Sequence, residues 1–204
     1  MTKKIITISR EYGSGGRQIG LLTAKKLGME FYDKELIDAA AKEIGFPTEM
    51  IADREQRLTN SLLYNFAMGT IYGLSYPKEP KVSELPLAEQ IFVAQKKAIE
   101  DAAKRGPAVF IGRCADYILR SRPDVLRVFV YADREARKRR AIAEYGDLAE
   151  YIDEFMHQTD KKRRIHYENY TNQKWGNREN YDIMLNSGDL GIEKCVELLC
   201  AAAR

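Results

Sequence analysis

Short apolar runs and longer amphipathic segments alternate along this chain of 204 residues. The apolar runs predict five strands, at 5–8, 29–32, 108–111, 125–131 and 181–186. Apolar positions at helical spacing predict helices over 19–27, 34–44, 87–105, 117–120, 134–145, 149–165 and 191–203. Because strands alternate with helices, the pattern predicts an α/β fold, a three-layer sandwich with helices on both faces of a parallel sheet.

Two segments depart from this alternation. Residues 46–86 are aromatic but are broken by glycine and proline, so we interpret them as an insertion of one or two helices and a loop. Their aromatic side chains either pack within the insertion or line a substrate pocket. Residues 167–180 are predicted to form a second loop, before the last strand.

The composition favours a single globular domain. With 45% hydrophobic residues, the chain can form one core. Its net charge of +3 fits anionic substrates and does not by itself imply nucleic acid. Three cysteines without a C-x-x-C pair argue against disulfides and zinc and indicate a reducing compartment. Because no apolar run reaches the roughly 18 residues of a membrane span, we expect a cytoplasmic protein without a membrane partner.

The stretch between the first strand and the first helix carries the clearest chemistry. Its small residues Gly13, Ser14, Gly15 and Gly16 directly precede a helix that is predicted to start near Arg17. Backbone N–H groups in such a loop can approach a phosphate closely, and the helix N-terminus adds partial positive charge. The stretch therefore predicts a phosphate-binding site, although glycines also occur in a plain strand-to-helix turn.

The P-loop pattern G-x-x-x-x-G-K-[ST] fits this stretch only in part. Gly16 fills the second glycine position and Arg17 the lysine position. Glu11 occupies the first glycine position, and Gln18 the Ser/Thr position. An arginine can bring positive charge to a phosphate, but Gln18 lacks the hydroxyl that contacts Mg2+ in P-loop enzymes. The alternative for Arg17 is a solvated helix residue.

Further candidates follow the other predicted strands, whose carboxyl ends lie at the ligand-binding edge of a parallel sheet. Asp33 follows the second strand and either caps the next helix or contacts substrate. Arg113 follows the third strand and either binds substrate or forms a surface ion pair. The basic run over 134–140 follows the fourth strand, and its side chains are either solvated or face phosphates. Asp133 and Asp160 are candidate metal-side carboxylates.

Several groups of residues carry a family resemblance. They are ISREYGSGGRQIG at 8–20, FYDKELI at 31–37, FIGRCADYIL at 110–119, and KWG, NYD and LGIE between 174 and 193. These residues resemble the cytidylate kinase-like family of P-loop nucleoside monophosphate kinases. The resemblance spans nearly the whole chain and implies a five-stranded parallel sheet with a helical insertion and a lid. It implies a single domain over 1–204, with a core of 1–45, 87–145 and 181–204, an acceptor-binding insertion at about 46–86 and a lid at about 146–180.

The resemblance also implies roles for individual residues. The donor ATP, with Mg2+, would be wrapped by Gly13, Ser14, Gly15, Gly16, Arg17 and Gln18. Asp33 and Arg113 would contact the acceptor, although Cys114 replaces the aspartate of the family's Gly-Arg-Asp motif.

A basic lid is implied as well. Arg163 and Arg164 resemble lid arginines that close over the transferring phosphoryl group, with a contribution from Arg137 or Arg140. Together with Arg17, Arg163 and Arg164 are therefore the predicted catalytic residues. Positive charge around the equatorial oxygens and exclusion of water are what phosphoryl transfer requires.

These observations predict an ATP- and Mg2+-dependent kinase for a small-molecule acceptor, with CMP, dCMP or a related monophosphate as the first candidate. One alternative is a nucleotide-binding regulatory protein with little activity, which Arg17 and Gln18 at altered P-loop positions would favour. Another is an RNA-binding module that uses the basic runs, which the nearly balanced net charge disfavours.

Overall fold

Five apolar runs pair side by side as parallel strands. The computed structural model describes residues 2–34, 37–38 and 86–204, and its strands are β1 (Ile5–Arg10), β2 (Glu30–Tyr32), β3 (Ala108–Ile111), β4 (Val125–Tyr131) and β5 (Ile183–Asn186). They form one sheet in the order β2-β3-β1-β4-β5, and every neighbouring pair is parallel. The predicted five-stranded parallel sheet is confirmed.

The strand bounds agree closely with the apolar pattern. β3 and β4 have the predicted bounds, and β2 and β5 start one and two residues later than predicted. β1 is two residues longer than predicted, because Ser9 and Arg10 continue the pairing with Phe129 and Val130 of β4. This extension places Arg10 at the carboxyl edge of the sheet.

Helices connect the strands. In the described ranges they are α1 (Gly16–Leu27), α2 (Leu87–Arg105), α3 (Ala115–Ile118), α4 (Arg134–Tyr145), α5 (Ile152–Thr171) and α6 (Ser187–Ala202), with a short 3-10 helix at Arg178–Asn180 and further helical residues at Lys34, Ile37 and Asp38. α2 and α4 have the predicted bounds. Most of the helix predicted over 34–44, and the insertion over 46–86 apart from Pro86, lie outside the described residues.

The predicted loop over 167–180 is wrong for its first five residues, because α5 continues through Thr171. Tyr167 and Thr171 lie one helical turn apart and are both buried. Tyr167 packs into the core beneath the sheet, and the Thr171 hydroxyl donates to the Tyr167 carbonyl at 2.6 Å. Tertiary contacts therefore extend the helix to Asn172, which ends it in the left-handed conformation.

Two other helices differ from the prediction. α3 starts two residues earlier than predicted, directly after the turn that follows β3. α6 starts at Ser187, four residues early, because two helical stretches are joined across a kink at Gly191 (φ 75°, ψ 167°).

Alternate side chains of β1 enter two different cores. One core joins β1 to α1 and α6 through Ile6, Ile8, Ile19 and Leu199. The other joins β1 to α2 and α3 through Ile5, Ile99 and Ile118. Because successive strand residues point to opposite faces, α1 and α6 cover one face of the sheet and α2 and α3 the other. The predicted three-layer sandwich is confirmed.

The cores also hold the cysteines. Cys114, Cys195 and Cys200 are all free and buried. Among the helices described above, none is long and apolar enough to cross a membrane.

Candidate active site

The carboxyl ends of four strands meet at one edge of the sheet and carry most of the candidate residues. The loop over 11–15 follows β1, Asp33 follows β2, Gly112 and Arg113 follow β3, and Asp133 lies just beyond β4. From β1 the chain continues into α1 on one face of the sheet, and from β3 into α3 on the other. Ligands bind at such a reversal in open α/β sheets, so the crevice between β1 and β3 is the candidate active site.

The loop after β1 adopts a conformation that strongly favours glycine at Gly13. Its φ is +72°, and a Cβ there would lie 2.5 Å from the carbonyl oxygen of Arg137 in α4. Gly15 also has a positive φ, of 74°, and α1 begins at the next residue. The hydrogen bond from the Ile19 N–H to the Gly15 carbonyl (2.9 Å) is at the start of α1, so the N–H groups of 16–18 lie before the hydrogen bonds of the helix. This cradle suits a phosphate group.

Ser14 is fully buried, and its hydroxyl serves the loop itself. The hydroxyl donates to the Glu11 carbonyl at 2.8 Å. The Ser14 carbonyl accepts from the Ser187 hydroxyl, at the start of α6, at 2.5 Å. Ser14 therefore stabilises the turn of the loop in this structure, and its contact with a phosphate stays a prediction.

The structure brings Arg17 and Asp33 together. Nε and Nη2 of Arg17 donate to Oδ2 of Asp33 at 3.1 and 2.6 Å. The side chain of Arg17 is 60% exposed, whereas that of Asp33 is 8% exposed. Arg17 is thus ion-paired rather than merely solvated. The backbone carbonyl of Asp33 accepts from the Ile37 N–H at 3.0 Å, as at the start of a helix, while the Asp33 carboxylate contacts Arg17. Gln18 is exposed beside Arg17.

Arg113 forms an ion pair, as one interpretation of the sequence predicted, but the pair is largely buried rather than at the surface. Its Nη2 donates to Oδ2 of Asp38 at 2.8 Å, and the two side chains are only 9% and 11% exposed. Gln95 of α2 donates to the other Asp38 oxygen at 2.9 Å. Arg113 and Cys114 both have positive φ, of 55° and 57°, an uncommon backbone conformation that often marks functional sites. Burial raises the pKa of the Cys114 thiol, so Cys114 does not replace the charge of an aspartate.

The two predicted lid arginines have different surroundings. Nη1 of Arg163 donates to the Arg10 carbonyl at 3.1 Å and lies 3.5 Å from Oδ1 of Asp160. Its guanidinium carbon is 5.7 Å from the centre of the Tyr12 ring. Burial lowers the pKa of Arg163, while the charge of Asp160 opposes that shift. Arg164, the next residue of α5, is exposed, so the fold brings Arg163 to the loop and leaves Arg164 at the surface.

The basic run over 134–140 divides between the loop and the surface. Arg137 donates from Nε to the Tyr12 carbonyl at 2.7 Å, and Arg140 donates from Nη1 to the Gly13 carbonyl at 2.8 Å. The other basic residues of the run pair with α5 or are exposed: Arg134, Lys138 and Arg139. Arg137 and Arg140 therefore bind the loop backbone directly.

Arg10 is a candidate that our sequence reasoning missed. It ends β1, and its guanidinium lies beside Gly112 of the neighbouring turn, where an added Cβ would be 2.1 Å from Nη1. This turn favours glycine for two reasons. Gly112 has a φ of +72°, which side chains disfavour, and the Arg10 guanidinium occupies the space that a side chain at this position would need. The signal was present in the sequence, because Arg10 stands at the carboxyl end of a strand, as Arg113 does.

Carboxylates near the loop are already engaged with protein groups. Glu11 accepts from the Ala132 N–H at 3.3 Å and lies 3.2 Å from Nη1 of Arg137. Burial raises the pKa of Glu11, and Arg137 opposes that shift. Asp133 caps α4 by accepting from the Ala136 N–H at 2.9 Å. Within residues 2–34, 37–38 and 86–204, no group of three or more His, Cys, Asp or Glu side chains is arranged to hold a metal ion.

A glycine loop between β1 and α1, in a parallel sheet of order β2-β3-β1-β4-β5, defines a P-loop kinase-type α/β fold. The amino-acid sequence also matches a known family. The chain belongs to the cytidylate kinase-like family, whose sequence model matches residues 5–189. The resemblance inferred from the motifs is therefore confirmed.

Solved structures share this fold. An uncharacterized protein from Eubacterium ventriosum ATCC 27560 has a TM-score of 0.73 at 23% identity, covering 98% of this chain and 97% of that chain. Shikimate kinase from Bacteroides thetaiotaomicron has a TM-score of 0.51 at 14% identity, covering 97% of each chain. A gluconokinase from Sinorhizobium meliloti 1021 has a TM-score of 0.51 at 16% identity, covering 97% of this chain and 92% of that chain. Among curated proteins, none matches this sequence. The family supports phosphoryl transfer in general, and these structures show the shared fold.

Proposed function

We propose that this protein transfers the γ-phosphoryl group of ATP to a small acceptor, with a (d)CMP-type nucleoside monophosphate as the favoured acceptor. The observation that carries the proposal is the glycine loop at the end of β1, whose positive-φ glycines lead into the N-terminus of α1. The cytidylate kinase-like family supports the kinase class and suggests the acceptor.

On the donor side, the chain offers backbone N–H groups and positive charge. The N–H groups at the start of α1 would bind phosphate oxygens, and Mg2+ bound with ATP would neutralise part of their charge. Arg17 stands one residue into α1, and its side chain is 60% exposed despite the ion pair with Asp33, which leaves its guanidinium accessible to a phosphate. Arg163, close to the loop, would stabilise charge that develops on the transferring group.

On the acceptor side, Asp33 and Arg113 stand at the ends of β2 and β3 and flank the crevice. The buried ion pair of Arg113 with Asp38 fixes the position of that guanidinium, and Gln95 holds Asp38 from the other side. A preorganised cation of this kind suits the phosphate or sugar of an acceptor.

The division of the chain follows from these roles. We propose that 1–45, 87–145 and 181–204 form the catalytic core, that residues at about 46–86 contact the acceptor, and that those at about 146–180 form the lid. α5 supports this division, because its Arg163 contacts the end of β1 at the Arg10 carbonyl and lies 5.7 Å from the centre of the Tyr12 ring.

A coupled assay of ADP release with Mg-ATP tests the proposal. The acceptors are CMP, dCMP, UMP, AMP and GMP, together with shikimate and gluconate, because proteins of those two kinase names share the fold. We expect ADP release that depends on CMP or dCMP. Release with another acceptor would keep phosphoryl transfer and overturn the (d)CMP assignment.

ATP binding without ADP release from any acceptor would instead favour the regulatory alternative. In that case Arg17→Lys with Gln18→Thr restores the P-loop pattern at both positions. A gain of turnover in this double variant would show that those two residues alone limit catalysis.

A further inference from the structure

Side chains from two helices hold the backbone of Tyr12 in the loop. Its N–H donates to Oδ1 of Asp160 in α5 at 2.7 Å. Its carbonyl accepts from Nε of Arg137 in α4 at 2.7 Å. Arg137 and Asp160 also pair directly with each other through Nη2 and Oδ2. Both polar groups of one loop residue are therefore bound by a single ion pair from outside the loop.

The side chain of Tyr12 anchors the loop at a second point. Its ring packs against a small apolar cluster formed between α4 and α5 by Ala141, Ile152 and Met156. It also makes edge-on contacts with Tyr145 and Phe155, with ring centres 5.7 and 5.2 Å apart. The Tyr12 hydroxyl donates to Asp147, between the two helices, at 2.6 Å. The loop is thus continuous with the packing of α4 against α5.

The ion pair between Arg137 and Asp160 is largely buried. The side chains of Arg137 and Asp160 are each only 12% exposed. Removal of one partner from a buried ion pair leaves the other charge uncompensated, which is costly. Asp160 also lies 3.5 Å from Arg163, so one carboxylate contacts the loop, α4 and a predicted lid arginine.

We propose that Asp160 is a positioning residue, which holds the Tyr12 peptide and so keeps the phosphate-binding loop in its binding conformation before nucleotide arrives. The role in nucleotide binding rests on the proposed function. Preorganisation of a binding loop improves affinity because less ordering entropy is lost when the ligand binds. Asp160 lies on the helix that carries Arg163, so the same contact couples the loop to the lid.

The test compares Asp160→Ala with Asp153→Ala. Asp153 is a matched control, because it lies on the same helix and pairs with Arg134 and Lys138 of α4 at 3.0 Å each. Both aspartates therefore join α5 to α4, but only the contacts of Asp160 include the loop backbone. Asp160→Asn keeps an acceptor for the Tyr12 N–H and serves as the milder variant if Asp160→Ala does not fold.

The first readout is amide hydrogen exchange of nucleotide-free protein. In Asp160→Ala we expect the peptide covering 10–18 to exchange at least about tenfold faster than in Asp153→Ala, because a local opening has been made easier. Exchange of the peptide covering β4 should rise much less than that of the loop peptide, whereas a general loss of stability alone would affect both alike. Asp160→Asn should give an intermediate rate.

The second readout is the affinity for Mg-ATP by calorimetry, which we expect to fall about tenfold or more in Asp160→Ala and to change less than about twofold in Asp153→Ala. The positioning role would be overturned if the loop peptide exchanged equally fast in Asp160→Ala and Asp153→Ala. If Asp160→Ala does not fold, equal loop exchange in Asp160→Asn and Asp153→Ala would overturn it instead. Faster loop exchange in a protein whose wild type does not bind ATP would uphold the positioning of the loop and refute the proposed function.

Discussion

Arg17, on the first turn of α1, donates to Asp33, at the end of β2, from Nε at 3.1 Å and from Nη2 at 2.6 Å. One residue belongs to the predicted donor site and the other to the predicted acceptor site. The Arg17 side chain is 60% exposed, whereas that of Asp33 is only 8% exposed, so the pair joins an accessible cation to a buried carboxylate. The exposed side of the Arg17 guanidinium can therefore meet a phosphate while the buried Asp33 carboxylate keeps its partner.

Replacement of Arg17 by alanine tests its role at the donor phosphates. We expect Arg17→Ala to lower turnover by about a hundredfold or more, because a charge that stabilises the transferring group is lost. Lys25→Ala is the control, because Lys25 is an exposed cation on the same helix and lies in its last turn. The coupled ADP-release assay measures both variants, and turnover of Arg17→Ala within a few fold of wild type would contradict the assignment.

A methyl group at Gly13 should damage the loop far more than one at Gly28. Both glycines have positive φ, of 72° and 65°, so alanine at either position carries a backbone strain of about 1–2 kcal/mol. Only at Gly13 would the new Cβ also meet backbone, 2.5 Å from the Arg137 carbonyl oxygen, whereas nothing lies within 4 Å at Gly28. We expect Gly13→Ala to abolish measurable ATP binding and Gly28→Ala to retain it.

Calorimetric titration with Mg-ATP and urea unfolding distinguish these two effects. Similar losses of unfolding free energy with different losses of affinity would support a specific effect on the loop. Equal ATP affinity in the two variants would show that the close approach of Gly13 to α4 is not needed for binding.

The lid arginines should differ in their effect on catalysis. We expect Arg163→Ala to lower the turnover number more than it weakens ATP binding, since a lid charge acts mainly in the transition state. Arg164→Ala should have the smaller effect, because Arg164 is exposed, whereas Arg163 binds the Arg10 carbonyl at the end of β1 and lies against the Tyr12 ring of the loop. The double variant should lower the rate at least as much as Arg163→Ala. A loss confined to ATP affinity in Arg163→Ala would assign it to loop support alone.

Asp116 should make stability fall as the pH rises. Burial raises its pKa, although a hydrogen bond from the Tyr167 hydroxyl (2.7 Å) opposes the shift. The folded protein then holds the proton more tightly than the unfolded chain, whose aspartates titrate near about 3.9. The stabilising contribution is complete below that pH and is lost as the pH rises through the higher folded pKa.

Urea unfolding of Asp116→Asn at several pH values checks this sign. Relative to wild type, the variant should gain unfolding free energy as the pH rises from about 4 to about 8. Asp124→Asn is a control of opposite sign, because the hydrogen bond from Arg122 lowers the pKa of Asp124. The folded pKa of Asp124 lies below that of an unfolded aspartate, so this variant should lose unfolding free energy relative to wild type as the pH rises from about 2 to about 4, and should run nearly parallel to wild type above that. Parallel curves for Asp116→Asn and wild type would contradict the prediction.

Local sequence predicted the elements well where each element is defined by its own residues. The apolar runs of β3 and β4 and the amphipathic patterns of α2 and α4 led to the observed bounds. α1 ends at Leu27 as predicted, and Gly28 follows it in the left-handed conformation that commonly ends helices. The prediction failed at the end of α5, because the helix from Tyr167 to Thr171 is stabilised by a core that its polar neighbours do not reveal.

The candidate site was predictable in its location but not in its pairing. The glycine loop, Asp33 and Arg113 were placed at strand ends from the sequence, and the fold brings all of them to one edge of the sheet. Asp38 pairs with Arg113, 75 positions away, and with Gln95, 57 positions away. No local pattern specifies such partners.

By itself, the sequence determined the α/β class, the glycine loop after the first strand and the family, because periodicity, glycine positions and motifs are written in neighbouring residues. Only the tertiary structure decided which arginines meet the loop. Arg137, Arg140 and Arg163 reach it, whereas Arg139 and Arg164 remain at the surface. The reason is physical: the Tyr12 N–H and Asp160 are separated by 148 residues, and their contact exists only once α4 and α5 have packed beside the sheet.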